Sequence, residues 1–332
     1  MGNLLAKIAP NSELSTDLLP PSSKFSPGRD IPDLSGKIAL VTGGNTGIGY
    51  HTVKELLLKN AKVYLAARSE AKGAEAIQKL KGETGKTAIF VQLDLADLNS
   101  VRRAATHFLA QESKLDILFN NGLVVRFRPQ YVVYSKCINQ DLQFGTNVTG
   151  HYFLTQLLLP ALTASFEACK IPARVINTSS SGYKNAVPGI GIEFTSLDGG
   201  PARDAWLKKH SASAAAWQLY GQSKLANIIV SNHFARTHSG VLISCALHPG
   251  SVRTDLQKQL SSGMQHLLDL TLPPAAMGAY TQLWAGTTAT PEQINEQYLI
   301  PWARVGKAAP MASDRKLETD TIAYLEQQIK GF

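Results

Sequence analysis

The chain has 332 residues, 44% of them hydrophobic, enough to bury a large core, and 33 Lys and Arg against 25 Asp and Glu give a formal charge of +8. No dense basic run interleaved with aromatics marks a nucleic-acid surface, and no apolar run has transmembrane length or the form of a signal peptide, so a soluble cytoplasmic protein is expected. Cys137, Cys169 and Cys245 stand far apart without metal-ligand spacing, which suits a reducing compartment and argues against a disulfide framework or a metal site.

The first 35 residues carry Pro10, Pro20, Pro21, Pro27 and Pro32, several serines and no sustained periodicity. They predict an N-terminal arm over 1–35, extended or partly disordered, ahead of a single domain over 36–332. Leu4, Leu5, Leu18 and Leu19 leave a membrane-surface contact open for that arm. From residue 37 apolar runs alternate with helical patterns and no linker-like break intervenes. The runs predict strands at Ile38–Val41, Val63–Ala67, Ala88–Leu93, Ile117–Asn120, Arg174–Thr178, Leu242–Leu247 and Tyr298–Pro301. Helical patterns fall near 48–59, 70–81, 98–112, 140–164, 216–238, 275–288 and 315–329. Continuous apolar strands suit a parallel sheet covered on both faces. The expected fold is a Rossmann-type, doubly wound α/β sheet of about seven parallel strands with helices on both faces.

Thr42-Gly43-Gly44-Asn45-Thr46-Gly47-Ile48-Gly49 joins the first strand to the first helix. Backbone N–H groups at a helix start lack intrahelical partners, and the helix dipole favours an anion there, so the turn predicts dinucleotide binding. Gly43 takes the tight turn, Gly47 admits a pyrophosphate and Gly49 lets helix pack on strand, with Asn45, Thr46 and Ile48 in the same cradle. After the second strand, Ala67 fills the neighbourhood where an acidic residue would hold the ribose hydroxyls of NAD, and Arg68 follows. A guanidinium there pairs with a 2′-phosphate, which predicts NADP(H) over NAD(H); the plainer reading is an exposed loop arginine. Asp94 is placed either to bind the adenine amino group or to cap the helix before Leu98.

Tyr220-Gly-Gln-Ser-Lys224 sets a phenol and an ammonium four residues apart, on one face of a helix. A free tyrosine titrates near about 10, and a neighbouring cation lowers that value, making a usable acid or base. Arg174-Val-Ile-Asn-Thr-Ser-Ser180-Ser181-Gly182 brings hydroxyls to the carboxyl end of a strand, where open parallel sheets bind ligands and a substrate oxygen can be held. Asn147, in a long apolar helix, either holds a water that links to Lys224 or bonds only to backbone at a helix bend. In His248-Pro249-Gly250-Ser251-Val252-Arg253-Thr254 the backbone around Val252 and the Thr254 hydroxyl could fix a carboxamide ring, or the segment simply turns.

Thr42–Gly49, Asn120-Asn121-Gly122, Asn147, Ser180, Tyr220 with Lys224, and Pro249–Thr254 follow one another as in the short-chain dehydrogenase/reductase family, which the chain resembles over about residues 36–303. Leu115–Asn121, Asp141–Asn147 and Tyr220–Asn227 look like its retinol-dehydrogenase-like branch, especially fungal members. The resemblance implies Tyr220 as proton donor and acceptor, with Lys224 lowering its pKa and binding the nicotinamide ribose. It implies Ser180, the second serine after the strand, as ligand of the substrate oxygen, Asn147 in a proton relay, and Asn121, Pro249 and Gly250 along the cofactor. The family's Asn-Asn-Ala-Gly stands here as Asn120-Asn121-Gly122-Leu123, and Val124–Ile138 departs from the usual loop. Ser181–Trp217 and the leucine-rich Asp255–Pro274 would cover the pocket, favouring a lipophilic ketone, aldehyde or alcohol. Two rival readings use the same residues: a non-catalytic NADPH-binding regulator, and a reductase of carbon–carbon double bonds. A monomer and a homodimer are both compatible with the sequence.

Overall fold

The computed structural model describes residues 20–125, 139–253 and 272–332. All seven expected apolar runs form strands: β1 Ile38–Thr42, β2 Lys62–Ala67, β3 Ile89–Gln92, β4 Ile117–Asn120, β5 Ala173–Thr178, β6 Leu242–Leu247 and β7 Tyr298–Ile300. The sheet nevertheless has eight strands, because β8, Arg304–Val305, returns antiparallel to β7. Two residues without an apolar run carry no strand signal of their own. The order is β3-β2-β1-β4-β5-β6-β7-β8, parallel as far as β7. It reverses between β1 and β4, and the crevice outside the carboxyl ends at such a reversal is where this architecture takes ligands.

The strands are apolar on both faces because each face is covered. Ile38, Leu40, Tyr64 and Ala66 point into one core, while Ala39, Val41, Val63 and Leu65 point into the other. The first core is closed by α3 Leu98–Leu109, α4 Gly150–Cys169, α6 Ala212–Thr237 and α8 Arg315–Ile329, through Phe108, Leu158, Phe234 and Leu325. The second is closed by α1 Gly47–Leu58, α2 Glu70–Thr84 and α7 Ala275–Thr287, through Leu56, Leu80 and Leu283. An unexpected helix, α5 Pro201–Lys208, lies between β5 and α6. The α6 helix starts at Ala212, four residues before the expected 216, because the Ser211 side chain caps it by accepting from Ala214 N.

The helix expected over 140–164 is not one α-helix. A single turn at Leu142–Phe144 passes into a π-helical segment, Gly145–Thr149, before α4 begins at Gly150. All five π residues are buried, so apolar periodicity could not locate the change of winding. Gly150 marks the closest approach: a Cβ there would lie 2.3 Å from the carbonyl oxygen of Leu95.

Within the expected arm, Phe25, Ile31 and Leu34 are buried, Phe25 edge-on to Tyr280, and Pro27–Asp30 makes a helical turn rather than an extended course. Leu4, Leu5, Leu18 and Leu19 lie outside the described residues, as do 126–138 of the unusual loop and 254–271 of the expected pocket cover.

Candidate active site

The glycine turn is built around Thr42, the last residue of β1. Its Oγ1 accepts from the backbone N–H groups of Asn121, at 2.9 Å, and Gly122, at 2.8 Å. The Asn121 side chain returns a bond from Nδ2 to the Thr42 carbonyl at 2.9 Å. These bonds clamp the end of β4 against the turn. Gly43 has φ +64°, and a Cβ on it would meet Gly122 Cα at 2.9 Å, so the glycine standing where the family has its alanine is sterically matched to Gly43. A Cβ on Gly49 would lie 2.3 Å from the Gly43 carbonyl oxygen, which is the close helix–strand packing expected of it. Gly47 has φ +54° with nothing near its missing Cβ, so its backbone opens on free space at the start of α1. Asn45 is half-buried and Thr46 exposed on the same turn. Ile48 meets Val252 across Gly278 of α7, where a Cβ would fall 2.8 Å from Ile48 and 2.9 Å from Val252. Gly278 had drawn no notice in the sequence, although a glycine inside a helix is a signal of close packing.

Arg68 and Asp94 line one cleft of about 570 Å³, together with Gln92, Ser100, Arg103 and His107. Asp94 is not the cap of α3. That role belongs to Asp97, whose carboxylate accepts from Asn99 N and Ser100 N, while Asp94 Oδ1 accepts from Ala96 N at 3.1 Å. Pro249 and Gly250 turn out of β6, Gly250 at φ +90° with Trp302 only 2.8 Å from where a Cβ would sit. Thr254 lies outside the described residues. The open backbone at Gly47, the clamp on Asn121 and the Arg68 cleft together fit a nicotinamide dinucleotide laid across the carboxyl ends of the strands.

At the end of β5, Ser180 caps a 3-10 turn, its Oγ accepting from Gly182 N at 3.0 Å. The same hydroxyl lies beside the Tyr220 ring, both flanking Gly182, and its influence partly opposes the upward push of burial on that phenol's pKa. Gly182 has to be small because a Cβ would meet the Tyr220 ring at 2.8 Å. Lys224 lies one turn along α6 with its Nζ 5.9 Å from the centre of that ring, donating at 2.9 Å to the Thr178 carbonyl. Burial pulls its ammonium down to about 7. The pair shares a helix face as the spacing required, and its nearest polar link is to strand backbone rather than from amine to phenol.

Asn147 sits in the π segment with no exposed surface. Its Oδ1 accepts from Val124 N at 2.8 Å, and its Nδ2 donates to Val124 O and to Ser223 Oγ, both at 3.1 Å. Ser223 Oγ in turn donates to the Tyr220 carbonyl at 2.8 Å. The side chain therefore bonds to loop backbone and to the Tyr220 helix at once. Sequence reasoning assigned nothing to Thr42, His151 or Ser223, which complete this network. His151 stood inside the Asn147 motif, but one of its two partners, Thr42, lies 109 residues away.

The family model for short chain dehydrogenases matches residues 37–192. A short-chain dehydrogenase/reductase of Armillaria gallica is 47% identical over 320 residues, 96% of this chain and 98% of its own. A solved structure from Mycobacterium paratuberculosis is similar with a TM-score of 0.69 at 25% identity, covering 93% of this chain and 98% of its own. A Pseudomonas aeruginosa RhlG/NADP active-site complex has the same fold, with a TM-score of 0.61 at 23% identity, over 82% of this chain and 96% of its own.

Proposed function

The chain belongs to the short-chain dehydrogenase/reductase family, and from that premise we propose an NADP(H)-dependent oxidoreductase acting on a lipophilic ketone, aldehyde or alcohol within a single catalytic body over 36–332. The observation that carries the reading is the convergence of the Ser180 hydroxyl and the Tyr220 ring around Gly182, just beyond the carboxyl end of β5. A bound nicotinamide would supply the hydride to a carbonyl carbon, or accept it from the corresponding alcohol carbon. Ser180 holds the substrate oxygen. Tyr220 delivers its phenolic proton to that oxygen in reduction and recovers one from it in oxidation. Lys224, at about 7, is poised between charge states at neutral pH, and its cationic form stabilises the phenolate that proton delivery leaves behind.

For the cofactor, support comes from Ala67 at the end of β2 and from exposed Arg68 opening on the same cleft as Asp94. A 2′-phosphate is the group that a guanidinium there recognises. The RhlG complex adds an NADP-bound example of the fold. NADPH use points to carbonyl reduction as the working direction. For the substrate, Trp217 is 42% exposed and lies edge-on to Tyr220 at 6.1 Å between ring centres, an apolar surface beside the proton donor. The resemblance of Tyr220–Asn227 to the retinol-dehydrogenase-like branch agrees with that preference.

The test is NADPH consumption by the purified protein over a panel of lipophilic aldehydes and ketones, with NADH alongside. Tyr220→Phe is expected to lower turnover by at least about 100-fold while NADPH binding is kept. Unchanged turnover in that variant would overturn the assignment of the acid. Equal use of NADH would overturn the cofactor preference and leave the hydride reading standing.

A further inference from the structure

Thr42 Oγ1, at the cofactor cradle, and the Asn147 carbonyl, in the π segment, are joined by one buried imidazole. His151 Nε2 lies 2.8 Å from Thr42 Oγ1, and His151 Nδ1 lies 3.0 Å from the Asn147 carbonyl oxygen. The proton positions follow from the partners. A carbonyl only accepts, so Nδ1 carries the hydrogen. Thr42 Oγ1 already accepts from two backbone N–H groups, Asn121 and Gly122, so its lone pairs are engaged and it donates its own proton. The Phe119 carbonyl, at 3.2 Å, is the longer of its two acceptors, and Nε2 is the shorter. A second ring proton on Nε2 would find no acceptor there. The ring is thereby restricted to the neutral Nδ1–H tautomer, in agreement with its burial.

We propose that His151 is a positioning residue that registers the cofactor cradle against the Tyr220 helix. On one side it supports Thr42, which holds Asn121 and Gly122 against the glycine turn. On the other it fixes Asn147, whose amide reaches Ser223 Oγ and, through it, the Tyr220 carbonyl. The π segment gives the reason for such a tie. An α-helical ladder fixes a backbone carbonyl by itself, whereas Gly145–Thr149 departs from that ladder where Asn147 must be held. A loss at either end of the imidazole therefore acts on a different property, cofactor affinity at the Thr42 end and the chemical step at the Asn147 end. This assignment rests on the reductase reading for its second half only.

Two conservative variants separate the ends. His151→Asn places an amide N–H near the Nδ1 position and keeps the donor to Asn147, but it is too short for Thr42. His151→Gln places its amide near the Nε2 position and keeps a partner for Thr42, but it abandons Asn147. NADPH dissociation constants, kcat and thermal midpoints are measured on the full chain. His151→Asn should weaken NADPH binding about tenfold with kcat nearly kept, and His151→Gln should lower kcat about tenfold with NADPH binding nearly kept. Independently, two-bond proton–nitrogen NMR correlations of histidine-labelled protein at pH 7 should show, for the ring whose signals are lost in His151→Gln, the Nδ1–H tautomer alone. An Nε2–H tautomer would overturn the proposal. So would equal losses in both constants that follow the thermal midpoints of the two variants. Absence of turnover in the unsubstituted protein would count against the reductase reading, while the tautomer and the NADPH constants would still decide the linkage.

Discussion

Lys224 is 1% exposed, held against the Thr178 carbonyl, and burial brings it down to about 7. In the unfolded chain a lysine titrates near about 10.4. Between those two values the unfolded chain keeps a proton that the folded chain has released. Stability therefore rises with pH across that window, and below it the full penalty, on the order of 4 kcal/mol, applies. Lys224→Met keeps the stem and removes the titrating group, while Asn227 Nδ2 still donates to the Thr178 carbonyl at 3.1 Å. The variant should lose turnover yet resist urea better than the parent at pH 6, by a few kcal/mol, with the gap closing toward about pH 10. Equal stabilities at pH 6, or a gap indifferent to pH, would mean that burial of this amine is not a source of instability. This buried amine is, on this account, a local weakness of the fold.

The π segment is held from outside by α5, an element no pattern in the sequence announced. Arg203 is 2% exposed, and its Nη2 donates to Asp141 Oδ2 at 2.8 Å while Nη1 donates to the Ser196 carbonyl at 2.6 Å. The other oxygen of Asp141 caps the turn that leads into Gly145–Thr149, accepting from Gln143 N and Phe144 N. Removing one partner of a buried ion pair strands the other, at a cost of about 3–5 kcal/mol. Arg203→Leu should lose that much in equilibrium unfolding, and Asp141→Asn with Arg203→Leu should cost clearly less than the sum of the singles. Additive losses would show that the pair does not act as a unit. The contrast with the strands shows what a sequence can disclose. A run such as Ile38–Val41 reports its own burial on both faces, and Tyr220 with Lys224 reports a helix face, because the information lies within a few residues. The Thr42–His151 bond spans 109 residues, Lys224 is bound by a backbone carbonyl that no residue type encodes, and β8 exists only by pairing with β7. Local patterns disclose the scaffold and the candidate site side chains; the contacts that orient them belong to the assembled sheet.

Across the whole molecule the buried titratable groups set a direction for stability against pH. His151 and His248 are 5% and 4% exposed, and burial is the main force holding each near about 4, with Lys184 adding to it at His248. Unfolded histidine titrates near about 6.5. As pH falls from there, the unfolded chain takes up protons that the folded chain refuses, so stability is fully present above about 6.5 and is lost toward about 4. Each group accounts for about 3 kcal/mol, and the two together rival the net stability of an ordinary domain. At the other end, Tyr50 is pushed up to about 12 and Tyr220 is raised, both chiefly by burial. Folded tyrosines then keep protons that unfolded ones release, and stability falls again above about 10. With the Lys224 window between, the protein should be most stable on the alkaline side of neutral. His248→Leu provides the check, since the ring is buried and neither nitrogen bonds to a described residue. In urea titrations between pH 7 and 4.5 the variant should lose about 2–3 kcal/mol less than the parent. Parallel losses in the two proteins would mean that His248 charges freely within the fold, leaving His151 and the carboxylates to set the acid limit.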